Sequence, residues 1–393
     1  MRDAGVLIVG GGLAGQRAAE TLRRRGHEGF VRMVWAEPLP PYDRPPLSKR
    51  VLAGEVGEEG LAYRPTDWYR ENAVELVLGD PAASLDPLAR RVRLESGTSL
   101  PYGRLLIATG GAPRRLPFLG HGNVHVLRCA ADARRLREAL RPGARLAIVG
   151  AGFIGQEVAA TARGLGAEVT LIEALPTPLA PILGERIGGW FADLHRGEGV
   201  EVRLGAALAE ARGGETVEEL VLADGERIGC DAVVVGIGTV PATAWLAEHG
   251  FGDGVPVDAA GRTALPDVYA AGDAALTFAP ATGAHHRTEH WEAAAWQGAA
   301  AAKAMLGDDP GAPPLASFWS DQYGLRVQCI GNPKDSDRIQ LEGDPAGHDF
   351  ELLFTRAGVP VAGLAVGRPA AIRRFRKQIE DGIDAVERKE LTV

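Results

Sequence analysis

The chain has 393 residues, 46% apolar and 24% charged, with a formal net charge of −8. That length fits two or three domains with real cores, and the acidic balance argues against nucleic acid as a general partner. No run reaches the ~18 apolar residues that a membrane-spanning helix needs, and a strand follows an acidic residue almost at once, so neither a membrane segment nor a signal peptide is expected.

Val6–Val9 is a compact apolar run, as a strand buried on both faces would be. Residues 14–24 carry helix formers with one apolar side, and residues 31–36 read as a second strand that ends at Glu37. This is β-turn-α-β, the opening of a doubly wound sheet. The segment PLPPYDRPPLSK, 38–49, is proline-rich and is expected to be an extended loop. Strands are expected at 74–79, 91–94 and 104–108, and a helix at 131–140. From Leu146 the β-turn-α-β pattern restarts, with a strand to Val149, a helix over 153–165 and a strand over 168–172 before Glu173. A valine-rich strand at 232–235 is followed by GIGTVP. DVYAAGD, 267–273, reads as a short strand, a turn and then a helix through Trp296. Beyond Pro314 the character changes to antiparallel strands around turns, closed by a basic helix over 372–379. The fold class is therefore α/β.

The runs VLIVGGGLAG and LAIVGAGFIG are the one internal repeat. Gly10, Gly12 and Gly15 fit G-x-G-x-x-G: the first allows a tight turn, the second lets a pyrophosphate approach the backbone, and the third lets helix pack on strand. The helix N-terminus adds free N–H groups and a partial positive charge. Glu37 lies about 20 residues on, where a carboxylate can accept ribose hydroxyls. Gly150, Gly152 and Gly155 repeat the arrangement with Glu173, which repels a 2′-phosphate and favours NADH over NADPH. Two such sites suggest two cofactors, a nicotinamide nucleotide and FAD.

Cys129, Cys230 and Cys329 are widely separated. They form no Cys-x-x-Cys pair and no metal spacing, so a dithiol site is excluded and buried apolar roles are expected. An unstapled chain suits a reducing cytoplasm. No metal site is expected at His285, His286 and His290.

The ordered motifs VLIVGGGLAG with Glu37, PPYDRPPLSK, LLIATG, LAIVGAGFIGQE, VVVGIGTVP, VYAAGD, EHWEAAAWQG and FWSDQYG resemble the FAD-dependent, NADH-dependent ferredoxin reductases of bacterial dioxygenases and cytochromes P450. Rubredoxin reductases and apoptosis-inducing factor are cousins. The resemblance covers nearly the whole chain. It implies two Rossmann-like, glutathione-reductase-like domains and an α+β C-terminal interface domain. The FAD domain would comprise 1–112 and 237–314, the NADH domain 113–236 and the C-terminal domain 315–393.

By the same resemblance Gly10, Gly12, Leu13, Ala14, Gly15 and Glu37 would hold FAD. Arg44, Pro45 and Lys49 would sit near the flavin, with Ala82 at the adenine. Thr109, Gly110, Arg128, Gly272, Asp273, Glu289, His290 and Trp291 would complete the FAD site. Gly152, Phe153, Ile154, Glu157, Glu173 and Gly238 would contact NADH. Asp273 is either a ligand residue or a helix N-cap. Glu157 either pairs with Lys49, or binds the carboxamide, or is only an acid at a helix start. Trp319 is either a core aromatic or a ring over the flavin on the path to a partner; Lys49, Glu157 and Trp319 are the catalytic candidates. The cationic run RRFRK, 373–377, is a solvated helix face or a surface that steers an acidic ferredoxin.

The expected activity is hydride transfer from NADH to FAD, then single electrons to a [2Fe–2S] ferredoxin that feeds an oxygenase or P450. A rubredoxin is the alternative acceptor. An NADH oxidase is a further alternative, although such relatives generally use a cysteine within the first ~50 residues and the earliest here is Cys129. A redox-sensing flavoprotein with slow turnover is the alternative of another class.

Overall fold

The computed structural model describes residues 5–118, 120–279 and 283–390, side chains at 335 and 384–390 excepted. The chain folds into two compact units. The first comprises 1–44, 58–112 and 239–314; the second comprises 45–57, 113–238 and 315–393.

In the first unit five parallel strands run in the order Val268–Ala270, Arg104–Ile107, Val6–Val9, Val31–Trp35, Val74–Leu78. Val6–Val9 is buried throughout, which is why it reads as an unbroken apolar run. It pairs with Arg104–Ile107 on one side and Val31–Trp35 on the other, Val9 standing opposite both Ile107 and Val34. The helix Leu13–Arg24 leaves its C-terminal end and packs on the helix Trp291–Leu306. That approach is close because position 298 is glycine: a Cβ there would lie 2.1 Å from the Ala14 carbonyl oxygen.

The second unit repeats the plan. Its parallel sheet runs Glu201–Leu204, Glu168–Glu173, Arg145–Val149, Ala232–Val235, Val124–His125. The helix Phe153–Gly164 follows the central strand. The same unit holds a five-stranded antiparallel sheet in the order Ser317–Gln322, Leu325–Gly331, Val359–Val366, Asp349–Arg356, Arg338–Asp344, beside the helix Pro369–Glu390. One face of that sheet buries Val327, Cys329, Leu352, Phe354 and Leu364 with Leu183, Ile187 and Phe191. The other face buries Ile330 and Ala365 with Phe375 and Ile379 of the helix.

Three expectations change. After Asp273 there is no immediate helix: Ala275–Ala279 pairs parallel with Val255–Val257 and antiparallel with Ala284–His286, and the helix begins only at Trp291. Thr277 and Phe278 suit a pleated surface, and pairing on both edges overrides the alanine-rich local preference; residues 280–282 lie outside the described residues. The proline-rich loop contains a 3₁₀ turn, Pro45–Ser48, because a φ locked near −65° suits a tight turn as well as an extended chain. The closing helix begins at Pro369, three residues before the expected start, proline serving at a first helical position where no N–H is needed.

Candidate functional site

In the first unit the glycine turn follows the central strand, at the edge where parallel sheets receive ligands. Gly10 has φ 125°, and a Cβ there would lie 2.0 Å from the Ala108 carbonyl oxygen. A Cβ at Gly15 would meet the Gly10 carbonyl oxygen at the same 2.0 Å. At Gly12, the N-cap of the helix, nothing lies within 4 Å of a built Cβ. The turn is thus closed where backbone meets backbone and open where a phosphate would approach. Leu13 and Ala14 occupy the helix's first turn, which carries no acidic residue, so its leading N–H groups keep their positive end.

Beside this turn Thr109 Oγ1 is buried with no hydrogen-bond partner among the described residues. A buried hydroxyl left unpaired costs about 1–3 kcal/mol, so a ligand that pairs it fits the site. Gly110 follows with φ 74° and accepts from Ala242 N at 2.8 Å. Glu37 stands just past Val31–Trp35 and accepts from Tyr42 Oη at 2.5 Å and Arg44 Nη2 at 2.8 Å. The Arg44 guanidinium also lies over the Trp35 and Tyr42 rings, 5.3 and 5.5 Å from their centroids. Gly272 N donates to Gln297 Oε1 at 2.7 Å, and Asp273 lies in the 3₁₀ turn Gly272–Ala274 rather than at the cap of a long helix. Ala82 opens the strand Ala82–Asp86. Glu289 accepts from Thr239 Oγ1 at 2.7 Å and pairs with Arg287. His290 occupies the position just before the helix that begins at Trp291, without a side-chain capping bond, and burial lowers its imidazole pKa. Asp43 accepts from Trp291 Nε1 at 2.9 Å and from Tyr63 Oη at 3.2 Å. Burial, then the Asp43 charge, raises the Tyr63 phenol.

In the second unit the geometry recurs. A Cβ at Gly150 would lie 2.5 Å from the Gly236 carbonyl oxygen and one at Gly155 2.1 Å from that of Gly150. At Gly152, again the helix N-cap, the nearest atom is 3.8 Å away. Glu173, at its strand end, accepts from Ala151 N at 2.8 Å and Leu175 N at 2.9 Å. Ile154 is 39% exposed, whereas Phe153 packs on Phe318 with ring centroids 4.9 Å apart. Gly238 has φ 95° and accepts from Arg114 N at 3.0 Å. Arg128 N donates to Asp132 Oδ2 at 2.9 Å, at the head of the helix Ala130–Ala139.

Glu157 lies one turn further along the helix than its start and is 5% exposed. Its Oε2 accepts from Lys49 Nζ at 2.6 Å and Ser48 Oγ at 2.5 Å, and its Oε1 from Ser320 Oγ at 2.7 Å. The Lys49 ammonium also donates to the Pro45 carbonyl at 3.0 Å. This is a buried ion pair with both carboxylate oxygens hydrogen-bonded, and removing one partner of such a pair costs about 3–5 kcal/mol. Pro45, Lys49 and Glu157 therefore come together. Ser48 and Ser320, which complete the cluster, lie inside PPLSK and FWSDQ, where the lysine and the tryptophan carry the sequence signal. Trp319 neighbours Ser320 on the strand Ser317–Gln322, pairs with Gln328 and is half-buried.

Cys129 is only half-buried, at the N-cap of the helix Ala130–Ala139, against the expectation of a buried role; Cys230 and Cys329 are buried, and burial raises both thiols, Cys230 to about 11. Neither is a reactive thiolate. Among the described residues no group of three or more His, Cys, Asp or Glu is placed to hold a metal ion, and no helix is long and apolar enough to cross a membrane.

Residues 4–298 match the family model of pyridine nucleotide-disulphide oxidoreductases, and residues 317–392 match the reductase C-terminal model. The chain is 40% identical over 383 residues to the 5,5′-dehydrodivanillate O-demethylase ferredoxin reductase subunit of Sphingobium sp., covering 96% of this chain and 93% of that protein. It is 39% identical over 376 residues to the biphenyl dioxygenase system ferredoxin–NAD(+) reductase component of Paraburkholderia xenovorans, covering 94% and 91%. Among solved structures, the covalent putidaredoxin reductase–putidaredoxin complex matches with a TM-score of 0.91 at 32% identity, covering 96% of this chain and 93% of that one.

Proposed function

Because the chain belongs to the pyridine nucleotide-disulphide oxidoreductase family and ends in a reductase C-terminal domain, we propose that it is an FAD-dependent NADH:ferredoxin reductase serving an oxygenase or cytochrome P450. The observation that carries this reading is the pair of nucleotide cradles, each closed by backbone contacts and each open at its middle glycine. One chain with two such cradles handles two dinucleotides. Its first cysteine is Cys129, so neither a dithiol nor an early cysteine is available to take the electrons, and they leave to a separate acceptor.

When bound, FAD supplies the chemistry that converts a hydride into single electrons. The residues supply placement and charge. Gly10, Gly12, Leu13, Ala14 and Gly15 bind the FAD pyrophosphate through the helix N-terminus, and Glu37 accepts from its ribose. Arg44 offsets the charge of that carboxylate. Thr109, Gly110, Ala82, Arg128, Gly272, Asp273, Glu289, His290 and Trp291 line the remainder of the FAD site. Gly152, Phe153, Ile154, Glu173 and Gly238 hold NADH, with Glu173 disfavouring a 2′-phosphate by like-charge repulsion. Glu157 fixes the Lys49 ammonium, so that Lys49 presents a located positive charge near the flavin with Pro45 as its second acceptor; Trp319 lies on the path outward. On this reading 1–112 and 237–314 form the FAD-binding domain, 113–236 the NADH-binding domain and 315–393 the interface domain. Free cysteines without a disulfide suit the cytoplasm.

The test is anaerobic, NADH-driven reduction of a panel of [2Fe–2S] ferredoxins and rubredoxins by the purified protein. Fast bleaching of the yellow colour and reduction of at least one ferredoxin are expected, with little oxygen consumption in air. A protein that stays colourless after FAD is added, or that consumes oxygen as fast without an acceptor as with one, overturns the reading.

A further inference from the structure

The second glycine turn is held by more than its own helix. Ala151, between Gly150 and Gly152, is fully buried and fixed at both of its polar atoms. Its N–H donates to Glu173, and its carbonyl accepts from Gln156 Nε2 at 2.9 Å. Gln156 is itself fully buried, so its Oε1 must also find a donor. His195 Nε2 lies 3.2 Å from that oxygen, and His195 Nδ1 lies 2.7 Å from the Tyr323 hydroxyl.

The two ring nitrogens alone leave either tautomer open, and the Ala151 carbonyl selects between them through Gln156. The Gln156 amide spends its NH₂ on Ala151, so Oε1 faces the imidazole and His195 Nε2 must donate. Burial keeps the ring neutral, bringing its pKa down to about 4 against a smaller opposing effect of Gln322. A neutral imidazole carries one N–H, so Nδ1 is an acceptor and Tyr323 must donate to it. If the other tautomer formed, Gln156 would have to flip, and its oxygen would then face the Ala151 carbonyl with no proton between them.

On the reading that this turn holds NADH, we propose that Tyr323 and His195 are positioning residues of the nucleotide site, setting the Gln156 amide and through it the Ala151 peptide of the glycine turn. Tyr323 follows the strand Ser317–Gln322, which also supplies Ser320 to Glu157. One hairpin thus holds two successive residues of the nucleotide-binding helix, 156 by relay and 157 directly. A leucine at 156 would fill similar space, but it would leave the Ala151 carbonyl without a donor.

The experiment is calorimetric titration of NAD⁺ into the FAD-loaded protein. The relay is already formed in the free protein, so its loss alters affinity only through the order it gives the turn, and changes in Kd of about threefold to tenfold are expected. Tyr323→Phe is expected to weaken binding roughly threefold and His195→Leu roughly tenfold. His195→Gln, whose amide can donate from the position of Nε2, stays near wild type. Adding His195→Leu to Gln156→Leu produces no further loss, because the histidine acts through the glutamine. Full FAD absorbance in each variant marks an intact fold, and if His195→Leu loses it, Tyr323→Phe and His195→Gln decide alone. Unchanged affinity in Tyr323→Phe, or losses that add in the double variant, overturns the proposal while the NADH reading stands. Wild-type protein that binds no NAD⁺ overturns both.

Discussion

His195 is fully buried, and desolvation brings its imidazole from the usual 6.5 down to about 4. The unfolded chain binds a proton at this residue below about 6.5, whereas the folded protein does so only below about 4. Between those values the unfolded state holds more protons, so the histidine's contribution to stability is complete above pH 6.5 and is lost as pH falls toward 4. Lowering the pH from 7 to 5 should therefore cost wild type about 2 kcal/mol more than His195→Gln, a figure that follows from ~1.4 kcal/mol per pH unit below 6.5. Urea unfolding of both proteins at the two pH values measures it, and parallel losses would contradict the assignment. This residue is invisible to sequence reading for a physical reason: its partners stand 39 and 128 positions away. Glu37 and Glu173 are legible because a strand end and a glycine turn place them locally. The Lys49–Glu157 pairing is legible only as one alternative among three. Ser48 and Ser320 escape, because two hydroxyls in ordinary loop and strand contexts give no signal until the chain folds.

At the scale of elements, both β-turn-α-β units stand out because apolar strand, glycine turn and amphipathic helix are consecutive in the chain. The helix Glu185–Gly197 is missed in the sequence, although its apolar side is strong: Ile187, Phe191 and Leu194 fall on the face it buries. The closing helix shows what charge can conceal. The run 373–377 reads as a cationic face, yet Phe375 within it is 2% exposed and packs with Ile330, Ala365, Ala371 and Ile379. Arg374 pairs with the buried Glu351 and lies over the Phe375 ring, so its charge is engaged within the fold. The ring fits because position 363 is glycine; a Cβ there would lie 2.2 Å from Phe375 Cδ2. Phe375→Ala should cost about 3–5 kcal/mol, the usual range for emptying a buried aromatic site. Gly363→Ala should also destabilise, but by less in a Phe375→Ala background, where the two nearest ring atoms, Cδ2 at 2.2 Å and Cγ at 2.3 Å, are gone. Thermal unfolding of the single and double variants measures both effects, and strictly additive losses would show that the glycine and the ring do not share one space.

For the molecule as a whole, the central matter is that two nucleotide cradles sit in two compact units of one chain, and their glycines are not equivalent. At Gly10, Gly15, Gly150 and Gly155 a methyl group would strike a carbonyl oxygen at 2.0 to 2.5 Å, so substitution there disturbs the fold itself. Gly12 and Gly152 differ. Their φ values of −73° and −72° are ordinary for alanine, and a methyl group has nothing within 4 Å at the first and only the Gly236 oxygen, at 3.8 Å, at the second. Alanine at these positions is therefore tolerated by the protein, and on the proposed reading it would be resisted by a bound pyrophosphate, which separates ligand from scaffold. Gly12→Ala should purify with markedly reduced FAD and a pale colour, while its circular dichroism and its unfolding stay close to those of FAD-stripped wild type. Gly152→Ala should remain fully yellow and reducible by dithionite, yet bind NAD⁺ roughly tenfold or more weakly, a change of about 1.4 kcal/mol or more. The crossed pattern is what matters. If Gly152→Ala loses FAD instead, or if both variants lose both ligands alike, the assignment of FAD to the first turn and NADH to the second is wrong.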